Sequence, residues 1–247
     1  LHTKLFHIVL LAFFLTIGNQ VIFGQDIKAT DSLKLDKATN EFSKKTAIKK
    51  DSIKIEKPKP KYDLETIVIS DENVVDFLTW YGEQNNENKV LIETKFGNIE
   101  IELFYETPLH RANFIYLVKK NYFNTTYFHR VVNNFIIQGG NSDESITKKE
   151  RKNIGKYLIP AEFKKSLRHN YGALASARSW DNNPEKLSNP YEFYFIQNKK
   201  GSHHLNGEHT VFGRITKGFN VMDKSASQET DPGEYPLLNI KIKVSIQ

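Results

Sequence analysis

Two polar side chains, Arg130 and Gln138, stand in an apolar stretch of the chain and could do chemistry together. The stretch, residues 127–140, reads YFHRVVNNFIIQGG. Residues two apart in a strand share a face, so side chains eight apart point the same way unless a turn intervenes, and Asn133-Asn134 is a candidate turn. A polar pair among apolar neighbours either satisfies buried groups or lines a site. The pattern alone leaves two interpretations open, an internal arginine that holds a loop carbonyl or a cationic donor in a binding site.

Several common chemistries have no counterpart in this sequence. The chain has no cysteine, which excludes disulfides, thiolate metal sites and a cysteine nucleophile. It also lacks a Gly-x-Ser-x-Gly elbow, a P-loop and a Gly-x-Gly-x-x-Gly fingerprint. The one metal-like pattern is His203, His204 and His209, but no nearby carboxylate completes it. We therefore predict no metal site and no cofactor.

The elements that must position Arg130 and Gln138 are mostly short strands. Alternating apolar and polar residues on both sides of Phe96-Gly97-Asn98 predict a β-hairpin. Further strands are predicted at 131–137, 174–177, 193–197, 211–215 and 240–246. Thr107-Pro108 opens one helix, because a capping residue precedes a proline at the first helical position, and residues 220–227 fit a second. Many short strands with two helices predict a mostly antiparallel barrel.

A helix is also predicted ahead of this region. Its apolar side chains recur at helical spacing, and Ser70 or Asp71 can provide the N-cap. The apolar side chains are Val74, Val75, Phe77, Leu78 and Tyr81. We expect residues 63–88 to form a helical extension that packs on the main domain.

The stretch around Arg130 resembles the core motif of the cyclophilins, the peptidyl-prolyl cis-trans isomerases. Phe-His-Arg-Val, Phe135, Gln138 and Gly139-Gly140 recur at the family's spacing. Similar elements extend to residue 247, among them IPAEF at 159–163, which is similar to bacterial members. The resemblance implies a mostly β domain over residues 89–247. It would be a closed eight-stranded antiparallel barrel capped by two α-helices, with the N-terminal helical extension in front.

The resemblance also implies roles for individual residues. Arg130 matches the catalytic arginine, Phe135 the floor of the proline pocket, and Gln138 the glutamine that binds the substrate backbone. The other residues expected to bind substrate are Ile136, Ala177, Glu192, Tyr194, His204, Leu205 and His209. Of these, Ala177 is expected to act through its backbone.

The sequence departs from the family's pattern at five places, one of which is Ile136, where a methionine is commoner. Glu192 stands where a glutamine is usual, and His204 where cyclosporin-sensitive members carry a tryptophan. Tyr194 takes the position of the pocket phenylalanine, although a shift of one residue would put Phe195 there. Residues 179–190 are similar to an insertion next to the pocket. Glu192, Tyr194 and the insertion indicate altered substrate choice rather than lost chemistry.

The activity implied by the resemblance is peptidyl-prolyl cis-trans isomerisation of proline-containing polypeptides, also called rotamase activity. Twisting an Xaa-Pro bond breaks its conjugation and leaves a lone pair on the prolyl nitrogen. A guanidinium beside that nitrogen would bind it only in the twisted state, which lowers the barrier without a cofactor. The alternative is a non-catalytic cyclophilin-like module that binds proline-containing segments. We expect a monomer in either case.

Residues 1–24 have the pattern of a signal peptide. The apolar run at 8–15 is short for a membrane span and is broken soon after by Asn19-Gln20. Cleavage after Gly24 would release an exported bacterial protein into the periplasm or cell envelope, where it would assist the folding of exported proteins. The alternative is an uncleaved anchor over Leu5–Phe23, and a membrane is expected as a partner only in that case.

Residues 25–62 are lysine-rich and predict a flexible tether, because they carry too few apolar side chains to offset the entropy of ordering. The alternative is a solvated helix over Leu33–Lys50. The chain has a net charge of +6, yet residues 62–247 hold 23 basic and 23 acidic residues. A nucleic-acid footprint should cluster on the folded domain, so nucleic acid is not an expected partner.

Overall fold

The computed structural model of the chain describes residues 61–247. The predicted signal peptide and the tether up to residue 60 lie outside the described residues. Lys61 and Tyr62, the last two residues of the predicted tether, lie against the first helix, where Lys61 forms a 2.7 Å ion pair with Asp76. Within this part of the chain, no helix is both long and apolar enough to span a membrane.

Eleven strands form within residues 61–247. They are β1 (Ile69–Ser70), β2 (Lys89–Thr94), β3 (Gly97–Leu103), β4 (Tyr127–Val132), β5 (Ile136–Asn141), β6 (Gly155–Lys156), β7 (Ala173–Ser176), β8 (Phe193–Ile196), β9 (Val211–Lys217), β10 (Ile240–Lys241) and β11 (Lys243–Ile246). β1 and β6 form a small parallel pair. The other nine form one antiparallel sheet in the order β10-β4-β5-β8-β7-β9-β3-β2-β11.

The last strand of the sheet joins its two edges. β10 and β11 are interrupted only at Ile242; β10 pairs with β4 and β11 pairs with β2. The sheet therefore closes on itself, and the predicted mostly β, barrel-like fold is confirmed. Nine strands are observed where eight were predicted, because the C-terminal strand is broken into two pieces at this bend.

Four α-helices surround the sheet in the described part of the chain. They are α1 (Val74–Gln84), α2 (Pro108–Lys119), α3 (Ser145–Ile154) and α4 (Phe219–Ala226). The helices predicted from Thr107-Pro108 and at 220–227 are α2 and α4. The sequence did not predict α3, because only Thr147 and Ile154 of its ten residues are buried and no apolar stripe marks it.

Helix α1 packs on α2, as predicted for the N-terminal extension. The Tyr116 ring lies 5.1 Å from Phe77 and 5.2 Å from Tyr81, both edge to face, a favoured geometry for aromatic pairs. The predicted cap is wrong, since neither Ser70 nor Asp71 starts the helix.

The N-cap of α1 is Asn73, which forms no side-chain capping bond to the helix. Its Oδ1 instead accepts the backbone N–H of Ser70 at 2.9 Å. The Asp71 carboxylate accepts the backbone N–H of Leu158 at 2.8 Å, so it ties the extension to the barrel domain.

The strand predicted at 131–137 is wrong, because a hairpin turn interrupts it. Asn133 and Asn134 connect β4 to β5, and Asn134 adopts φ +58°, a conformation that asparagine tolerates better than most residues. The turn places Arg130 directly opposite Gln138 across the hairpin. The two side chains therefore share a face although the chain reverses between them.

The sheet carries apolar side chains on both faces. On β8, Phe193 and Phe195 belong to the main core, whereas Tyr194 and Ile196 belong to a separate, smaller cluster. This outer cluster consists of Ile136, Ala173, Ala175, Ala177, Tyr194, Ile196, Leu205 and Val211, with Phe135 packed against it. Successive side chains of a strand point to opposite faces of the sheet, so the main core and the outer cluster lie on opposite faces.

Candidate functional site

A groove of about 410 Å³ lies over the outer cluster. Its lining residues are Arg130, Phe135, Ile136, Gln138, Ala177, Arg178, Trp180, Tyr194, Leu205 and His209. Eight of the ten predicted site residues are therefore together. Glu192 and His204 lie outside the lining, and Arg178 and Trp180 line the groove without having been predicted.

Arg130 is held on two sides at one end of this groove. Its Nε donates to Glu234 Oε2 at 2.6 Å, and its Nη1 donates to Gln138 Oε1 at 3.5 Å. The side chain is 36% exposed, so the guanidinium is anchored and still open to solvent. Two of its five N–H groups are used by these partners, and its Nη2 donates to no residue in the described range.

Glu192 lies behind Gln138 and fixes the orientation of its amide. Glu192 Oε2 accepts from Gln138 Nε2 at 2.9 Å, and Oε1 accepts from Arg151 Nη2 at 3.3 Å. A carboxylate can only accept, so Gln138 must turn its NH₂ toward Glu192 and its carbonyl oxygen toward Arg130.

The charge of Glu192 is stabilised although its side chain is only 15% exposed. Burial by itself would raise the pKa of this carboxyl, but His129 and Arg151, together with the Gln138 hydrogen bond, outweigh burial and hold the pKa below its ordinary value. His129 Nε2 lies 3.7 Å from Glu192 Oε2. The residue that departs from the family's glutamine is therefore a charged support beneath the groove.

Tyr194 forms the floor of the groove, and Phe195 points into the main core. The alignment that places Tyr194 at the pocket position therefore agrees with the geometry. Its hydroxyl lies 3.1 Å from His169 Nε2, and His169 Nδ1 lies 3.0 Å from Asn206 Oδ1. Asn206 Oδ1 also accepts the His169 backbone N–H. In this assignment Nδ1 carries the proton, and Nε2 accepts from the Tyr194 hydroxyl.

His169 is a functional neighbour that the sequence did not reveal. It is fully buried, and burial lowers its pKa to about 4, because the imidazolium would lose its hydration. It is therefore neutral near pH 7, and its neutral form is the one that can accept the Tyr194 hydroxyl. His169 and Tyr194 are 25 positions apart in the sequence, so only their contact in the folded protein identifies His169 as part of the site.

Trp180 and His209 form an aromatic part of the groove lining. Trp180 is 61% exposed; its ring packs edge to face on His209 at 5.2 Å and lies 4.1 Å from the Arg178 guanidinium. His209 Nδ1 contacts Ser176 O at 3.0 Å, and burial lowers the pKa of its imidazole. The insertion at 179–190 thus contributes a large apolar surface to the site.

The backbone of Ala177 is already used by the protein. Its N–H donates to Glu192 O at 3.0 Å, and its C=O accepts from Asn189 N–H at 2.8 Å. The N–H of Ala177 is therefore already engaged within the protein, and Ala177 is one of the residues that line the groove. The next residue, Arg178, makes no backbone hydrogen bond to other residues in the described range.

One of the three clustered histidines, His204, packs beside the groove. His204 stacks on Phe135 with ring centroids 5.9 Å apart and planes 21° apart, so it supports the groove from outside. In residues 61–247 no three histidine or carboxylate side chains converge on a point where a metal ion could bind.

A buried Ser-His-Glu constellation lies elsewhere in the domain. His110 Nδ1 is 2.6 Å from Glu162 Oε2, and His110 Nε2 is 2.9 Å from Ser188 Oγ. Ser188 is only 1% exposed, and a hydroxyl nucleophile must reach its substrate, so this arrangement is structural. Glu162 also accepts the backbone N–H groups of Leu109 and His110. It thereby caps α2, which the Thr107 side chain does not.

Comparison with known proteins gives one consistent result. The family model described as "Cyclophilin type peptidyl-prolyl cis-trans isomerase/CLD" matches residues 89–246. "Peptidyl-prolyl cis-trans isomerase CYP18-1" of Arabidopsis thaliana is 36% identical over 155 residues, which are 62% of this chain and 91% of that protein. "Peptidyl-prolyl cis-trans isomerase-like 2" of Rhizopus delemar is 35% identical over 184 residues, or 74% of this chain, but the match spans only 32% of that longer protein.

A solved structure gives the same fold. The crystal structure of a cyclophilin type peptidyl-prolyl cis-trans isomerase from Cryptosporidium parvum superposes with a TM-score of 0.55 at 25% identity. The match covers 65% of this chain and 98% of that one. A second structure of the same protein was determined in the presence of the dipeptide Ala-Pro.

Proposed function

The chain belongs to the cyclophilin-type peptidyl-prolyl cis-trans isomerase family and is an isomerase; from this premise we propose that the groove at Arg130 is where Xaa-Pro bonds rotate. One observation carries the proposal. The anchored guanidinium of Arg130 lies at the edge of an apolar floor formed by Phe135, Tyr194 and Leu205. Such a floor suits a prolyl ring, and a fixed cationic donor suits the prolyl nitrogen.

The proposed mechanism is preferential binding of the twisted amide. The rotation barrier is about 20 kcal/mol because the C–N bond is partly double. At the top of the barrier the nitrogen carries a localised lone pair, to which Arg130 donates a hydrogen bond that the planar amide cannot accept. Acceleration to milliseconds requires about 5–6 kcal/mol. A preorganised charged donor supplies about 3–4 kcal/mol of that, and the held ring restricts the remaining motion.

The residues around Arg130 are proposed to hold it and its substrate in register. Glu234 fixes the Nε edge of the guanidinium, and Gln138 approaches its Nη1. Because Glu192 accepts from the NH₂ group of Gln138, the carbonyl oxygen of Gln138 points toward Arg130. That oxygen is a suitable acceptor for a substrate backbone N–H, and the N–H and C=O of Arg178 are suitable for the strand of substrate beside it.

Exchange kinetics on Xaa-Pro peptides test this proposal. The Cryptosporidium relative was crystallised in the presence of Ala-Pro, so Ala-Pro peptides are the first choice, followed by a panel with different residues before proline. We expect the wild-type protein to accelerate exchange and the folded Arg130→Ala variant to lose most of that acceleration. A wild-type protein with no activity on any peptide would overturn the catalytic assignment and favour a binding module.

We further propose that the protein is exported and assists folding of exported proteins in the periplasm or cell envelope. The support is the sequence pattern of residues 1–24, a short apolar run followed by Asn19-Gln20. N-terminal sequencing of protein from the envelope fraction tests this. We expect the mature chain to begin near Gln25, whereas a chain that retains Lys4 and the apolar run would be membrane-anchored.

A further inference from the structure

A second groove continues the first one beyond His209. It has a volume of about 530 Å³, and its lining residues are Phe163, Lys164, Lys165, Leu167, Arg168, Asn206, Gly207, His209 and Val211. His209 lines both grooves. A third cavity of about 640 Å³ shares Leu167, Arg168 and Val211 with the second. The three therefore form one continuous path along the surface, which starts at the proposed proline pocket.

The second groove is apolar inside and basic at its rim. Leu167 and Val211 supply its apolar surface. Lys164, Lys165 and Arg168 are exposed, and none of their side chains forms an ion pair or a hydrogen bond with a residue in 61–247. We call this segment, residues 163–168, the basic rim.

Glu208, which lies between the lining residues Gly207 and His209, already has two cationic partners. Glu208 accepts from Lys186 Nζ at 2.7 Å and from Arg178 Nη2 at 2.8 Å. At the far end of the path, Arg214 is paired with Glu102, and Glu106 is the acidic residue in the lining. Three unpaired cations thus line one groove in residues 62–247, which together hold 23 basic and 23 acidic residues.

We propose that the second groove binds acidic residues, aspartate or glutamate, of the same polypeptide whose proline occupies the first groove. This inference rests on the proposed function, because the proline fixes where the rest of the substrate lies. The occupant follows from charge complementarity: unpaired cations beside an apolar strip select a partner with carboxylates next to apolar groups. The protein is then an isomerase that prefers Xaa-Pro bonds flanked by acidic residues on one side.

Matched peptides test the charge preference. Each contains one Ala-Pro bond and a pair of glutamates or of glutamines, placed either before or after it. We expect one Glu-Glu arrangement to give a kcat/KM about five- to tenfold above its Gln-Gln counterpart at low salt. The ratio of kcat/KM for the Glu-Glu peptide to that for the Gln-Gln peptide should fall toward one at 0.5 M salt, because exposed charges are screened over distances beyond a few ångströms.

Two triple variants locate the preference. Lys164→Gln/Lys165→Gln/Arg168→Gln should reduce the Glu-Glu to Gln-Gln ratio to about one. The matched control, Lys148→Gln/Lys149→Gln/Lys152→Gln, removes the same charge from exposed positions of α3 that line neither groove. It should keep both the ratio and the basal activity of the wild type. A ratio of one in the wild type, or a ratio that survives removal of the basic rim, overturns the inference.

Binding measurements separate failure of this inference from failure of the proposed function. Fluorescence anisotropy of labelled peptides reports affinity without turnover. If no peptide is isomerised, the proposed function fails, and the Kd difference between Glu-Glu and Gln-Gln peptides still decides the inference. A Glu-Glu peptide with alanine in place of proline should bind at least tenfold more weakly. Equal binding would make the basic rim a general anion surface and overturn the inference.

Discussion

Strands β5, β7, β8 and β9 carry apolar side chains on both faces, and the two faces differ in what covers them. The inner face bears large side chains such as Phe193, Phe195 and Phe212, which are nearly or fully buried against one another and α2. The outer face bears Ala175 and Ala177 beside Tyr194. Ala175 is fully buried, whereas Ala177 and Tyr194 line the groove at Arg130. Hydrophobicity alone does not identify a core, since an apolar cluster that lines a groove is also a place for a ligand.

The inner face should determine the stability of the fold, and Phe195→Ala should lower that stability most. Removal of this fully buried ring leaves a cavity in the barrel, so we expect the free energy of unfolding to fall by about 3–5 kcal/mol. Urea denaturation followed by circular dichroism measures the change. The matched outer-face variant is Phe135→Ala, which should cost less stability because Phe135 is only partly buried. Equal losses would contradict the division between the faces.

The outer face should control catalysis, and Arg130→Ala tests it. We expect kcat/KM to fall about 10²–10³-fold, as when one donor to a developing charge is lost. Arg130→Lys should restore little, because an ammonium lacks the planar fork that Glu234 and Gln138 hold. Circular dichroism should show an intact fold. A folded Arg130→Ala protein with near wild-type kinetics would reject the assignment.

Acid should lower the stability of the folded protein through His169, whose imidazole contacts the Tyr194 hydroxyl. Its pKa is about 4 in the folded protein, below the value of about 6.5 in an unfolded chain. The unfolded state therefore binds more protons between these values, so stability falls as pH drops below 6.5 and the loss is complete below pH 4. It reaches about 3 kcal/mol at pH 4.

Unfolding free energies at pH 7.5, 5.5 and 4 measure this effect in wild type and His169→Gln. The variant lacks the imidazole, so its stability should depend less on pH across the same window. Parallel pH curves for the two proteins would show that another group is responsible.

The smallest effect is expected at the support beneath the groove. Glu192→Ala should lower kcat/KM about tenfold, because the Gln138 amide would lose the partner that orients it. Glu192→Gln should restore most of the activity, since its carbonyl oxygen can still accept from Gln138. A change in kcat/KM with no change in unfolding free energy would distinguish positioning from packing. Glu185→Ala, at an exposed position of the insertion, is the control and should leave both quantities unchanged.

The parts of this molecule that sequence predicted are those encoded by short-range patterns. Alternation along β2, β3 and β11 predicted these strands, and the resemblance of the stretch around Arg130 to the cyclophilin motif implied the groove. The parts it missed depend on distant contacts. Glu234 reaches Arg130 across 104 positions and Glu162 reaches His110 across 52, and no local pattern marks either pair.

Sequence patterns also did not predict the role of Trp180 in the insertion or the presence of the polar helix α3. Trp180 lies in the segment 179–190, whose path over the groove has no periodic signal, and its role follows only from its contact with His209. Helix α3 is almost wholly polar, yet its Arg151 completes the support of Glu192. Amphipathic periodicity detects helices that bury a stripe, and this helix buries two side chains.

The bend at Ile242 has a consequence for how the domain acquires its structure. Ile246 pairs with Val90, 156 positions earlier, and Ile240 pairs with Phe128. Closure of such long loops is slow, and a high contact order is typical of domains that fold in milliseconds to seconds. Until residues 240–246 arrive, β2 and β4 are unpaired edges that another chain could join. During synthesis, the domain stays exposed to aggregation until this last segment has emerged.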